Sequence, residues 1–185
     1  MGRYKRILTK EQVEEYAQLT YLTKVEIVYI FNKFSTLGIN EIEQDVNYRF
    51  PKNDVQNLFL ELKYNPFCDR LFHVFSSQKD DCFSFEDFLD LCSVMSEHCP
   101  LSVKAAWGFK VFDFDEDEQI TKPDIYQIVD KLTQPAQLLD IEKEHISDVV
   151  LKEMNIRHTG AMNQMEFLHA MTKMPEFSQI FAFKV

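Results

Sequence analysis

Glycine is scarce: the 185-residue chain holds only 4, at positions 2, 38, 108 and 160. Neither of the common glycine loops that cradle phosphate can be assembled from them, so nucleotide-binding folds are disfavoured. The sequence also lacks an apolar run approaching the roughly 18 residues a membrane span needs. Its first residues, MGRYKRILTKEQ, lack the apolar stretch of roughly 7–15 residues found in a secretory signal, so a soluble, cytoplasmic protein is expected. Positive charge is short as well, with 20 basic against 30 acidic side chains and a net charge of −10. Phosphate backbones would be repelled by that mean field, which excludes nucleic acid as an expected partner. The four cysteines, Cys68, Cys82, Cys92 and Cys99, form no C-x-x-C pair and read as unbridged small hydrophobes. The five histidines fall in no H-E-x-x-H spacing, and no G-x-S-x-G occurs. An enzyme is therefore not expected.

What is abundant is apolar and aromatic. Forty-five per cent of residues are hydrophobic and 17 are Phe, ample for a packed core. The anchor for a functional reading is DFDEDEQITKPD, residues 113 to 124. Asp113, Asp115 and Asp117, a backbone-carbonyl position at Gln119, Thr121 acting through water and a closing acid at Asp124 reproduce the ligand spacing of an EF-hand loop. Hard divalent cations take six to eight oxygen ligands, and alternate residues of a tight loop aim at one centre. The bland alternative is a solvated acidic turn in which Thr121 and Asp124 merely cap the next helix.

The flanks carry the helical apolar period of an EF-hand. Ala105, Gly108, Phe109 and Phe112 enter the loop, while Ile125, Ile128, Val129 and Leu132 leave it. The template recurs around loops at 76 to 87 and 155 to 166, and in a stretched first copy whose loop runs from 35 to 54. The first copy's exiting helix is expected to present Val55, Leu58, Phe59 and Leu62. At the eighth loop position, where paired EF-hand loops bridge, the copies carry Phe50, Phe83, Ile120 and Met162. The expected fold is all-α: four EF-hand helix-loop-helix units paired into two lobes, with an extra N-terminal helix and a short C-terminal one. The expected divisions are an extension at 1–22, an N-lobe at 23–98, a C-lobe at 99–174 and an apolar tail at 175–185.

Loop three is the one expected cation site, for Ca²⁺ or Mg²⁺. Glu118 stands at the sixth position, where the turn needs positive φ and Gly is usual. Asp124 replaces the usual Glu, and its shorter side chain suits the six-oxygen shell of Mg²⁺. Loop four, NIRHTGAMNQME, keeps Glu166 but has lost its first acids, so Arg157 is expected to pair with Glu166 in place of a metal, the bland alternative being an exposed Arg157 that points to solvent. Loops one and two are expected to be structural.

Asn65-Pro66-Phe67, FSFEDFLDL at 83 to 91, FKVFDFDED at 109 to 117 and MPEFSQIFAFKV at 174 to 185 together resemble the calcium- and integrin-binding protein family. The resemblance runs from about residue 8 to the end of the sequence. It implies a noncatalytic adaptor, with partners such as integrin α tails and transmembrane channel-like mechanotransduction subunits, membrane-associated through its partner. Family loops three and four usually both bind metal, and this loop four departs from that pattern. Some members are myristoylated, whereas here Arg6 stands where the signal has Ser or Thr. Arg3, Lys5 and Arg6 allow at most peripheral contact with an anionic membrane. Other readings are a calcineurin B-like regulatory subunit of a phosphatase or kinase, or a cation buffer.

An amphipathic partner helix would lie in an apolar groove lined by Ile125, Ile128, Val129, Leu132, Met171 and Met174. The tail residues Phe177, Ile180 and Phe181, at i, i+3 and i+4, form one short helical face that is expected to compete for that groove, the alternative being a tail fixed permanently in the core of the C-lobe.

Overall fold

The structure is a computed structural model that describes residues 8–136 and 138–174. They form two compact units, 8–99 and 100–174. In the first, α1 (Lys10–Leu19) and α2 (Lys24–Phe34) each begin with a capping box, Thr9 with Gln12 and Thr23 with Glu26. Each box satisfies backbone N–H groups that have no partner inside the helix. The apolar stripe of α2, Ile27, Ile30, Phe31 and Phe34, is fully buried, as the 3.6-residue period requires. It meets α7 (Phe85–Met95), where Phe31 sits edge-on to Phe85 at 5.0 Å and Phe34 stacks on Phe88 at 5.7 Å. The first helix docks on the same element, with the Tyr16 hydroxyl donating to Glu86 at 3.1 Å.

Between α2 and the second hand, the chain departs from the expected helix-loop-helix. The stretched loop contains a short helix, α3 (Ile39–Gln44), anchored by buried Ile42. The expected exiting helix is broken into α4 (Lys52–Val55), a 3-10 turn (Gln56–Leu58) and α5 (Leu60–Lys63). Phe59 is extended at φ −131°, ψ 126°, which ends the 3-10 turn. Its ring stacks on Phe88 at 5.8 Å, while the Lys33 ammonium lies 5.1 Å from its centroid and donates to the Leu58 carbonyl at 3.4 Å. Those contacts offset the helical hydrogen bonds lost at the break. The second hand follows as α6 (Cys68–Phe75) and α7.

Loops one and two join through β1 (Phe50–Pro51) and β2 (Cys82–Phe83), antiparallel, with Phe50 opposite Phe83. In the second unit, α8 (Leu101–Phe112) and α9 (Lys122–Thr133) flank loop three, while α10 (Asp140–Met154) and α11 (Gln164–Thr172) flank loop four. The loops pair through Ile120 and Met162, which exchange backbone hydrogen bonds of 2.8 and 2.9 Å. The helices cross-pack, α8 on α11 and α9 on α10. Phe167 of α11 meets Phe109 and Phe112 edge-on at 5.9 and 6.0 Å. No helix among the described residues is long and apolar enough to cross a membrane.

Candidate metal centre

Loop three begins as α8 ends. Asp113 is the helix C-cap, with its N–H still bonded to the Phe109 carbonyl while its own ψ turns to 91°. Its buried carboxylate then organises the turn, accepting from the Asp117 N–H at 3.2 Å and the Glu118 N–H at 3.0 Å. Asp115 accepts from the Asp117 N–H at 3.4 Å, and Asp117 from the Gln119 N–H at 2.9 Å. Side chains that bond backbone two residues ahead hold a tight turn without a regular element. Glu116 and Glu118 lie in the left-handed region, at φ 60° and 66°. For non-glycine residues this costs on the order of 1 kcal/mol each, offset by the hydrogen bonds to the aspartates.

The result is convergence. One carboxylate oxygen from each of Asp113, Asp115 and Asp117 lies within 4.8 Å of the others. Among the described residues, no other group of three His, Cys, Asp or Glu side chains gathers this way. Burial, with the charges of Asp124 and Asp117, raises the Asp113 pKa above the ordinary carboxylate value, against the N–H groups that pull it down. Like charges held this close favour a cation between them. The donor set is all hard oxygen, which fits Ca²⁺ or Mg²⁺ and not a thiophilic metal.

The other expected ligands sit at the closing end of the loop. Asp124 is 1 % exposed; Oδ1 accepts from the Phe114 N–H at 3.0 Å, and Oδ2 from the Thr121 N–H and hydroxyl at 2.9 and 2.8 Å. Thr121 thus spends its hydroxyl on Asp124. Gln119 lies exposed at the seventh position, directly before the bridge residue Ile120.

Loop four has the same backbone, with positive φ at His158 and Gly160, positions four and six. Arg157 does pair with Glu166, Nη2 to Oε2 at 3.1 Å, and its backbone N–H donates to Oε1 at 3.0 Å. A second donor was not foreseen. The Asn155 amide nitrogen reaches both Glu166 oxygens at 3.1 and 3.2 Å, the Ala161 carbonyl at 2.6 Å and the Thr159 hydroxyl at 3.4 Å. Positions five, seven and twelve, ligands in a cation loop, here converge on an amide at position one. The signal in the sequence is an amide in the first place of a loop that retains its closing Glu. Burial raises the Glu166 pKa, but the Arg157 and Asn163 hydrogen bonds outweigh it and hold the carboxyl down at about 2.

Of the expected groove residues, Ile125, Val129 and Met171 are buried core. Ile128 is half-buried, while Leu132 and Met174 are 60 % and 40 % exposed. Phe177, Ile180 and Phe181 lie outside the described residues.

No protein-family model matches the sequence. Curated relatives do, over their whole lengths. Human "Calcium and integrin-binding family member 3" is 31 % identical over 189 residues, covering 100 % of both chains. "Calcium and integrin-binding family member 2" is 28 % identical in Drosophila melanogaster and 29 % in Mus musculus, again covering 100 % of each chain. With paired EF-hand loops and an oxygen-ligand centre in the third, this full-length similarity shows that the chain belongs to the calcium and integrin-binding family.

Proposed function

We propose that the protein is a noncatalytic, cytoplasmic EF-hand adaptor that responds to Ca²⁺ or Mg²⁺ through loop three. Its partner is an amphipathic helical segment from the cytoplasmic side of a membrane protein, of the integrin α-tail or transmembrane channel-like mechanotransduction type. The observation that carries the reading is the convergence of Asp113, Asp115 and Asp117. Asp113 would hold the cation from the buried side, Asp115 and Asp117 from the exposed side. The Gln119 carbonyl, Asp124 and, through water, Thr121 complete the set. A bound cation supplies the positive charge that offsets carboxylate repulsion.

Asp124 starts the exit helix α9, since its carboxylate takes the Thr121 N–H as a capping group. Any demand on that carboxylate therefore acts on the first turn of α9, which carries Ile125, Ile128, Val129 and Leu132. This is the route by which loop and groove would communicate. Support for the groove is the apolar surface left at Ile128, Leu132 and Met174. The relatives' names supply the integrin class of partner.

Titration calorimetry on the full chain should show one cation site, abolished in Asp113→Ala and retained in Glu166→Gln. Binding of an integrin α-tail helix should weaken in Asp113→Ala, and about tenfold or more in Leu132→Asp, through desolvation of the charge against an apolar partner. Two comparable cation sites in the native protein would overturn the assignment of loop three as the sole site.

A further inference from the structure

Loop two has the backbone of a cation loop without its ligand sequence. Lys79 and Asp81, at positions four and six, have φ 50° and 58°, matching Glu116 and Glu118 of loop three. Its closing acid is used as loop three uses Asp124: Asp87 accepts from the Ser77 N–H at 3.2 Å and the Ser84 N–H at 3.1 Å. Yet Ser76 and Gln78 stand at positions one and three, where acids are usual.

The guanidinium of Arg49 fills the loop. Nη2 reaches the Ser76 hydroxyl at 3.0 Å, Asp80 Oδ1 at 2.7 Å and the Cys82 carbonyl at 2.7 Å. Nη1 reaches Asp87 Oδ2 at 2.7 Å and the Ser77 hydroxyl at 3.1 Å, and Nε reaches Asp80 Oδ2 at 3.1 Å. Ser76, Asp80, Cys82 and Asp87 are loop positions one, five, seven and twelve, with the backbone carbonyl at seven where cation loops use it. The Arg49 side chain is only 16 % exposed, and its delivery is built into the fold. It directly precedes Phe50, whose pairing with Phe83 fixes β1 against loop two.

We infer that Arg49 is the resident cation of loop two: its guanidinium takes the place and the ligand atoms of a divalent ion, closing that loop permanently. A guanidinium suits this role because it is always charged and presents five N–H donors in a rigid fork. Lysine, a point charge with three donors, cannot satisfy the same four loop positions. Loop two therefore has no cation to gain or lose. This differs in kind from a degenerate loop that has simply loosened. The inference stands whether or not loop three acts as proposed, since it rests on contacts within the first unit.

Amide hydrogen exchange on the full chain, in EDTA and in millimolar CaCl₂, tests it. Hydrogen-bonded amides report local opening residue by residue. The amides of Ser77, Cys82 and Ser84 should exchange at the same rate, within about twofold, in both conditions. In Arg49→Lys they should exchange about tenfold or more faster, while Phe114 and Thr121 of loop three are unmoved by the substitution. EDTA-accelerated exchange in wild-type loop two would overturn the inference, because a loop closed by Arg49 needs no ion. Unchanged protection in Arg49→Lys would overturn it equally. Should Arg49→Lys not fold, Asp80→Asn, which weakens the hold on Arg49, should speed exchange at Ser77 and Ser84, whose amides bond Asp87 and not Asp80, and unchanged exchange there would overturn the inference.

Discussion

Asp124 is one methylene shorter than the glutamate that usually closes a cation loop, and it lies 1 % exposed with both oxygens engaged by Phe114 and Thr121. A short acid reaches a six-oxygen shell more readily than the seven oxygens Ca²⁺ prefers. Asp124→Glu should therefore raise the Ca²⁺ over Mg²⁺ preference on the order of tenfold, about 1.4 kcal/mol, in competition calorimetry. Unchanged selectivity would remove Asp124 as its source. In loop four, Asn155→Ala deletes the amide that links Glu166, Ala161 and Thr159. Leaving those acceptors short of a donor should cost about 1–3 kcal/mol in urea unfolding, with the cation titration unaltered. The spacing of Asp113, Asp115 and Asp117 was legible in the sequence because ligand position is a matter of counting along one loop. Arg157 was legible as a charge opposite Glu166. Asn155 is legible only when its amide is weighed against the retained Glu166, since a lost acid by itself reads as mere loss, and Arg49 was not legible because it meets its partners only once loop one is folded against loop two.

Among the elements, the bridge residues show the same contrast. Phe50, Phe83, Ile120 and Met162 occupy one offset in four repeats, and the fold pairs them two by two. Phe83 is wholly buried, and its ring centroid is 4.6 Å from that of Phe72. Phe83→Ala should cost about 3–5 kcal/mol in denaturant unfolding, and a loss below about 1 kcal/mol would mean that the loop pair does not anchor the first unit. The broken exit helix between 52 and 63 was hidden from periodicity, because Val55, Phe59 and Leu62 are buried as a continuous helix would bury them. What interrupts it is tertiary: Phe88 and Lys33 draw Phe59 out of helical geometry. The six-residue α3 was likewise invisible, since a helix with one buried residue, Ile42, has no repeat to detect.

For the whole molecule, charge sets the response to pH. At neutrality the chain carries −10, and self-repulsion opposes the compact state; it is relieved as pH falls toward the pI of about 5.0. Below that, specific carboxylates take over. The Arg157 and Asn163 hydrogen bonds hold Glu166 down at about 2 against an ordinary 4.5. The Arg49 hydrogen bond likewise holds Asp80 at about 2 against 3.8. A depressed folded-state pKa means that the unfolded chain takes up the proton first. Stability from these pairs is therefore complete above about 4.5 and is lost as pH falls toward 2. Water around Arg157, which is 52 % exposed, limits the Glu166 share to about 1–2 kcal/mol. Thermal unfolding in EDTA should accordingly show a stability maximum near pH 5 and a decline below it. Glu166→Gln cannot titrate, so its decline between 4.5 and 2 should be shallower than that of the wild type. Parallel curves for the two proteins would show that the Arg157–Glu166 contact contributes nothing to acid sensitivity, leaving general charge repulsion as its cause.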